Sequence, residues 1–438
     1  MDSERKVDNE NMETQNKLLE TMLSKENLDK AYRQVKRNKG ASGVDEMEVS
    51  ELEEYLEKHL EEIKEMIRYR KYKPQPVKRV EIPKADGGVR KLGIPTVLDR
   101  FVQQAVAQVL VPIYEPLFHN NSYGFRPNRC CEMAIIKALE YMNDGYHWVV
   151  DIDLEKFFDT VNHDTLITLI MREVKSGEIV SLIRKFLVSG IMIDEEYKES
   201  TIGTPQGGNL SPILSNVVLN ELDKEMEARG LRFVRYADDC IIQVGSSKAA
   251  DRVMESIGKY IEKKLGLKVN MTKSKVSKPN NIKFLGFGFY YDRYSKLWKA
   301  KPHDISVKIV KEKLKRLTNR SWSVAWEYRS RKIKQLVIGW INYYRIGKFK
   351  STCTKIDRWI RFRIRMYLWK KWKTIRNRKK QLRKLGALKW QSESWSNSRK
   401  SYARCASTFL QSMVTNEVLK RKGLVSLLAQ YQKQHILV

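Results

Sequence analysis

Leu231-Arg-Phe-Val-Arg-Tyr-Ala-Asp-Asp-Cys-Ile-Ile-Gln-Val244 holds two apolar runs separated by a pair of carboxylates. Aromatic and β-branched residues on both sides of a short polar turn are the pattern of a hairpin. Strands are therefore expected over 231–237 and 240–244, with Asp238 and Asp239 at the tip. Upstream, His147-Trp-Val-Val-Asp-Ile-Asp153 reads as another strand, whose period of two puts Asp151 and Asp153 on one face and Ile152 on the other. The two acidic pairs are able to share one site. Like charges a few ångströms apart are costly unless a cation neutralises them, and two Mg²⁺ ions about 3.5 to 4 Å apart are the usual answer in phosphoryl transfer. Magnesium takes few protein ligands and keeps substrate phosphates in its shell, so two or three carboxylates suffice. Taken alone, an Asp-Asp turn is explained equally well by the local hydrogen bonds Asp makes in turns.

Working outward, Val77-Lys-Arg-Val-Glu-Ile82 and Val89-Arg-Lys-Leu-Gly-Ile94 flank Asp86-Gly-Gly88, a strong hairpin signal. Lys84 and Arg90 flank that turn, one a compact point charge and one a fork, so the hairpin is able to present both to a triphosphate. Residues up to about Tyr72 read as helices, with Leu52, Leu56, Leu60, Ile63 and Ile67 at spacings of three and four. They are interrupted by the basic loop from Arg37 to Val44. Helices are also expected over 100–117 and 131–143. Another starts at Ser211-Pro212, with Ser as its cap, and closes at Gly230. Beyond Lys301 the chain reads as helical and basic. On 358–372, Trp359, Phe362, Met366 and Trp369 form one stripe and Arg358, Arg361 and Arg365 another.

The charge is distributed unevenly. Residues 301–438 carry 36 Lys and Arg against 6 Asp and Glu, whereas the first 300 residues carry 47 against 46. A near-neutral body joined to a cationic end points to a polyanion partner, since phosphates offset self-repulsion of that size. A membrane span is excluded by the lack of any run of about 18 apolar residues. Residues 1–17 hold no apolar core of the kind a secretion signal needs. The five cysteines form no C-x-x-C pair, which argues against a zinc site and for a reducing, cytoplasmic setting.

Several blocks occur in a fixed order. They are Ser122-Tyr-Gly-Phe-Arg-Pro-Asn-Arg129, Asp151-Ile-Asp-Leu-Glu-Lys-Phe-Phe-Asp-Thr-Val-Asn-His163, Gly203-Thr-Pro-Gln-Gly-Gly-Asn-Leu-Ser-Pro212, Tyr236-Ala-Asp-Asp239, Leu267-Lys-Val-Asn-Met-Thr-Lys-Ser-Lys275, Phe284-Leu-Gly-Phe287 and Gly339-Trp-Ile-Asn-Tyr-Tyr344. Together they resemble the bacterial group II intron reverse transcriptases, or maturases, over about residues 28–372. No Cys pairs or His cluster follow, which matches the compact subclass C type without an endonuclease domain.

The resemblance implies an α+β, right-hand polymerase: N-terminal extension and fingers over 1–110, palm over 111–300, thumb or maturase domain over 301–373 and a basic DNA-binding region over 374–438. It implies a metal-binding triad of Asp153, Asp238 and Asp239, joined by the Leu154 carbonyl, with Asp151 accessory. Mg²⁺ would be the cofactor, with Mn²⁺ a substitute. Nucleotide contacts fall on Lys84, Arg90, Phe158 (under the incoming sugar), Gln206, Gly207 and Lys273, with Lys275 competing for the last role. Template and primer contacts fall on Arg37, Asn38, Lys39, Arg129, Phe284, Leu285, Gly286, Arg358, Arg361 and Arg365. Arg126 joins that set, and for both Arg126 and Arg129 a structural ion pair is the open alternative to a template contact. The implied partners are dNTPs, an RNA template with a DNA primer, the host intron RNA and a target DNA. Nothing in the sequence decides between monomer and dimer. A splicing factor with a vestigial polymerase and a defence-type reverse transcriptase are the alternatives. The intact carboxylate set speaks against the first, and the 339–344 block against the second.

Overall fold

The computed structural model describes residues 17–83, 88–193, 196–200, 202–204 and 207–436. The chain divides into two compact units, one up to Lys278 and one from Pro279. The boundary between the units falls inside the 111–300 span expected for the palm, and the strands after it pair among themselves.

The first unit holds two four-stranded sheets. One has the order β6 (Arg232–Tyr236), β7 (Asp239–Val244), β3 (Trp148–Ile152), β8 (Lys275–Ser277), all antiparallel. Its register runs from Trp148 opposite Val244 to Ile152 opposite Cys240. Val149, Val150, Ile241 and Ile242 are wholly buried, so the centre of the sheet is apolar on both faces and its register is pinned. The other sheet has the order β2 (Val89–Ile94), β1 (Val77–Pro83), β4 (Ile191–Ile193), β5 (Glu196–Lys198) and contains the expected hairpin, with Ile82 opposite Arg90.

The helix Ser211–Ala228 runs through the core. Ile213, Leu214, Val217, Val218, Leu219, Leu222 and Met226 are buried, and so are Asn216, Asn220 and Asp223. Leu210, not Ser211, occupies its cap, because a turn joining Ser211 N to Gly208 O (3.3 Å) already brings Ser211 into the helix. Gly230, at φ +66°, ends it as expected.

The second unit opens with a three-stranded sheet, β9 (Lys283–Phe284), β10 (Phe287–Asp292) and β11 (Leu297–Pro302), with β10 central. Three long helices follow, Asp304–Leu317, Trp326–Tyr343 and Lys350–Lys371, and then shorter ones up to Gln434. The last helix, Leu427–Gln434, folds back: the Asp357 carboxylate accepts from Ser426 Oγ (2.6 Å), Leu427 N (2.8 Å) and Leu428 N (3.0 Å). A carboxylate at a helix N-terminus satisfies orphan amides and opposes the dipole. Residues beyond 374 are thus packed into the same unit as the helices before them. No helix among the described residues is long and apolar enough to cross a membrane.

Candidate active site

The hairpin tip is a two-residue loop. Tyr236 and Asp239 are the last paired residues of β6 and β7, which leaves Ala237 and Asp238 to make the turn, Ala237 at φ +57°. β7 lies beside β3, with Asp151 opposite both Ile241 and, on the other side, Lys275 of β8. Asp153 sits one residue past β3. Its carbonyl accepts from Asn270 N (2.8 Å), and its amide donates to Ser274 Oγ (3.0 Å). Leu154 forms an isolated antiparallel bridge with Val269. The predicted carboxylates are thus delivered by adjacent strands and their ends.

Their electrostatics show the crowding. Burial pushes the Asp151 carboxyl up to about 7, Lys275 opposes the shift, and Asp239 and Asp153 add to it. Asp238 is raised by burial and by Asp153, while Arg90 and Arg235 oppose the rise. The Lys273 ammonium lies 3.8 Å from Asp153 Oδ2. Lys273 is therefore placed at Asp153 and Lys275 beside Asp151. Among the described residues no three acidic, His or Cys side chains converge closely enough to clamp a metal as they stand. The donor chemistry nevertheless fits a hard divalent cation: clustered carboxylates, two of them, Asp151 and Asp238, raised by burial and by the charge of Asp153, with oxygen ligands only.

Phe158 packs edge-on to Phe157 and lines a cavity of about 350 Å³ with Arg79, Lys91, Lys156, Asp159 and Thr204. The block starting at Gly203 is tied to the Phe158 segment by Thr204 N to Phe158 O (2.6 Å) and Gly203 N to Val161 O (2.8 Å). Gly207, at φ +132°, approaches β2 so closely that a Cβ would lie 2.3 Å from Gly93 O. That position admits only glycine. Lys84 and Gln206 lie outside the described residues. Arg90 is exposed on β2.

Other predicted contacts are redistributed. Arg126 is buried: its fork meets Glu115 (2.8 Å to Oε1) and also donates to the carbonyls of His119 and Ser122. The structural ion pair is what the fold contains, and no guanidinium edge is left for a template. Arg365 is likewise buried and donates to Val414 O (3.0 Å), because the following short helices cover its side of Lys350–Lys371. Arg361 is half-buried beside Asp357 (3.5 Å), and Arg358 is exposed. The covered helix buries Ile356, Ile360, Ile364, Tyr367 and Trp369, whereas Trp359, Phe362 and Met366 of the expected stripe are only half-buried. Phe284 is core, which leaves Leu285 and Gly286 as the accessible part of that block. That turn is bonded to the 339–344 block, since Tyr343 Oη donates to Leu285 O (2.9 Å). Arg37, Asn38 and Lys39 are exposed at the end of the helix Lys25–Asn38. Arg129 is spent partly on Asn120 O (2.6 Å) and on the Tyr123 ring.

Four residues around the tip escape the sequence reading: Gly124, Asn216, Asp223 and Arg235. The available signal is the polar series Asn216, Asn220 and Asp223, at spacings of four and three, interleaved with the apolar positions Leu214, Val217, Val218 and Leu222 of the same helix.

Residues 82–289 match the family described as "Reverse transcriptase (RNA-dependent DNA polymerase)", and residues 307–386 match "Group II intron, maturase-specific domain". The chain belongs to the group II intron reverse transcriptase/maturase family. Protein YkfC of Escherichia coli (strain K12) is 32% identical, over 62% of this chain and 82% of that one. The group II intron-encoded protein LtrA of Lactococcus lactis subsp. cremoris is 39% identical, over 48% of this chain and 35% of that one. The chain thus spans most of the first relative and about a third of the second. Among solved structures, a chain of a partial Cas6-RT-Cas1–Cas2 complex aligns at 22% identity with a TM-score of 0.35, over 56% of this chain and 42% of that one. The family's enzymatic class is RNA-directed DNA polymerase, and its reverse transcriptase domains generally use divalent metal ions.

Proposed function

We propose that this chain copies RNA into DNA at Asp153, Asp238 and Asp239, binds the RNA of its host intron to promote splicing, and primes reverse transcription at a DNA target. The observation that carries the reading is the pairing of β7 with β3, which sets the Asp238-Asp239 tip beside Asp153 with the Lys273 ammonium alongside. Mg²⁺, or Mn²⁺ in its place, held by these three carboxylates and the Leu154 carbonyl, would activate a primer 3′-hydroxyl and neutralise the departing pyrophosphate.

The chain's own residues do the rest. Lys84 and Arg90 neutralise the triphosphate, and Lys273 Nζ donates a proton to the leaving pyrophosphate oxygen. Phe158 excludes a ribose 2′-hydroxyl by its bulk, while Gly207 lies along the base pair, with Gln206 assigned to the same contact by the family resemblance. In the cavity beside Phe158, Arg79 Nε and Thr204 Oγ1 are buried with no hydrogen-bond partner among the described residues, which suits a polar ligand there. Arg37, Asn38, Lys39 and Arg129 serve the template, and Leu285, Gly286, Arg358 and Arg361 the primer duplex. The cationic second unit supplies the affinity for intron RNA, in a cytoplasmic setting.

The test is extension of a DNA primer on an RNA template with Mg²⁺ and dNTPs. Wild type is expected to yield full-length cDNA. Asp238→Ala with Asp239→Ala should reduce the yield by about a thousandfold or more, an estimate scaled from the loss of strong electrostatic groups in other active sites, with intron binding retained. No product from folded, RNA-binding wild type would replace this reading with a non-catalytic splicing factor.

A further inference from the structure

The turn that carries Asp238 is held from behind by a buried polar chain. Arg235, Asp223 and Asn216 are 0%, 0% and 1% exposed. The Arg235 guanidinium meets Asp223 through Nε (2.7 Å) and Nη2 (2.5 Å), and its Nη1 donates both to Asn216 Oδ1 (2.9 Å) and to Ala237 O (3.0 Å). Asn216 Nδ2 in turn donates to Gly124 O (2.9 Å). Gly124 closes the circuit by proximity: a Cβ there would lie 2.1 Å from Ala237 N, a backbone atom unable to step aside. The Arg235 backbone is also fixed, its amide donating to Asn121 O and its carbonyl accepting from Tyr123 N, each at 2.9 Å.

Stability alone does not call for this arrangement, because a buried ion pair is often replaced by apolar residues at no loss. What singles it out is where the remaining bonds go. One ends on the carbonyl of Ala237, a non-glycine residue held in the left-handed region, a conformation that persists only when its surroundings over-determine it. The residue it fixes is bonded directly to Asp238.

We propose that Arg235, held by Asp223 and Asn216, is a positioning residue that locks the Ala237 turn against Gly124 and thereby sets the direction in which Asp238 presents its carboxylate. The proposal rests on the polymerase reading for its catalytic consequence but not for its effect on cation binding. Asn216→Ala keeps the ion pair and removes one anchor, while Gly124→Ala pushes the turn itself.

In the full chain, kcat for primer extension is expected to fall about 10-fold in Asn216→Ala and about 100-fold in Gly124→Ala, the scale set by an ångström of misplacement. The melting temperature of Asn216→Ala should fall only by the few degrees that its two hydrogen bonds supply, and primer–template affinity of both variants should stay close to wild type. Mn²⁺ binding, titrated by electron paramagnetic resonance without substrate, should weaken several-fold in both variants. Unchanged kcat and unchanged Mn²⁺ affinity would overturn the proposal, as would a loss of kcat that follows melting temperature with Mn²⁺ affinity intact. Wild type without polymerase activity would sink the functional reading instead, and the Mn²⁺ titration would still decide the positioning role.

Discussion

Two arginines, one in each unit, are wholly buried, and they are satisfied in opposite ways. Arg235, in the near-neutral first unit, is neutralised by the Asp223 carboxylate. Arg329, in the cationic second unit, donates instead to the carbonyls of Leu317 (2.5 Å), Asn319 (3.1 Å) and Trp322 (2.5 Å), between the rings of Trp322 and Tyr367. Burial accordingly lowers its pKa. Carbonyls at a helix end and aromatic faces carry partial negative charge, so they stabilise a guanidinium without cancelling it. The first unit spends charge on internal geometry. The second, with six acids among its last 138 residues, keeps its charge for a partner.

The largest stability effect expected from this contrast is in the first unit. Asp223→Ala strands the Arg235 guanidinium in the core, at a cost of about 3–5 kcal/mol. Hydrogen exchange of peptides covering β6 and β7 reads that loss directly. A change below about 1 kcal/mol, the median for an exposed pair, would mean that water reaches Arg235 and that the pair is not the buried one described.

Arg329→Met tests the other side. It leaves three carbonyls without their donor but no charge unpaired, so about 2 kcal/mol is expected, the range for hydrogen bonds to a charged group. Urea unfolding followed by tryptophan fluorescence suits this unit, which holds nine of the ten tryptophans. A cost above that of Asp223→Ala would reverse the contrast.

These two arginines also mark where sequence reasoning stops. Alternation and turn chemistry were enough for β6, β7 and β3, for the hairpin of β1 and β2, and for a helix observed at Cys131–Asn143. Each is decided by neighbours within a few residues. Arg126 was half legible, its ion pair foreseen as one alternative but not its partner Glu115 across a bend in the chain, and Arg365 was not legible, because its partner is the Val414 carbonyl, 49 residues away. Spacing places a guanidinium on a helix face without saying what covers that face. Phe284 is the same case in a strand: its block was readable, its burial was not. At the candidate site the nearness of Asp153 to the Asp238-Asp239 tip was legible, because strand period and hairpin chemistry fix it locally. Gly124, Asn216 and Asp223 are spread over a hundred residues and meet only in the fold.

The smallest expected effect is also the one that separates the two uses of arginine within a single helix. Arg358 and Arg365 lie two turns apart on Lys350–Lys371, one exposed and one buried against Val414 O. A phosphate contact releases condensed counterions, so the slope of log affinity against log salt counts such contacts at somewhat under one unit each. Arg358→Gln is expected to reduce that slope for RNA binding by about one and to weaken binding uniformly across sequences. Arg365→Gln should leave the slope unchanged while lowering the melting temperature slightly, since it removes one hydrogen bond of about 1 kcal/mol or a little more. Filter binding across a salt series and a melting curve decide the matter together. Equal slopes for both variants and wild type would show that the exposed guanidinium meets no phosphate, and the duplex-binding role would pass to other cations of the unit. A slope change in Arg365→Gln alone would mean that the short helices over it lift away when RNA binds.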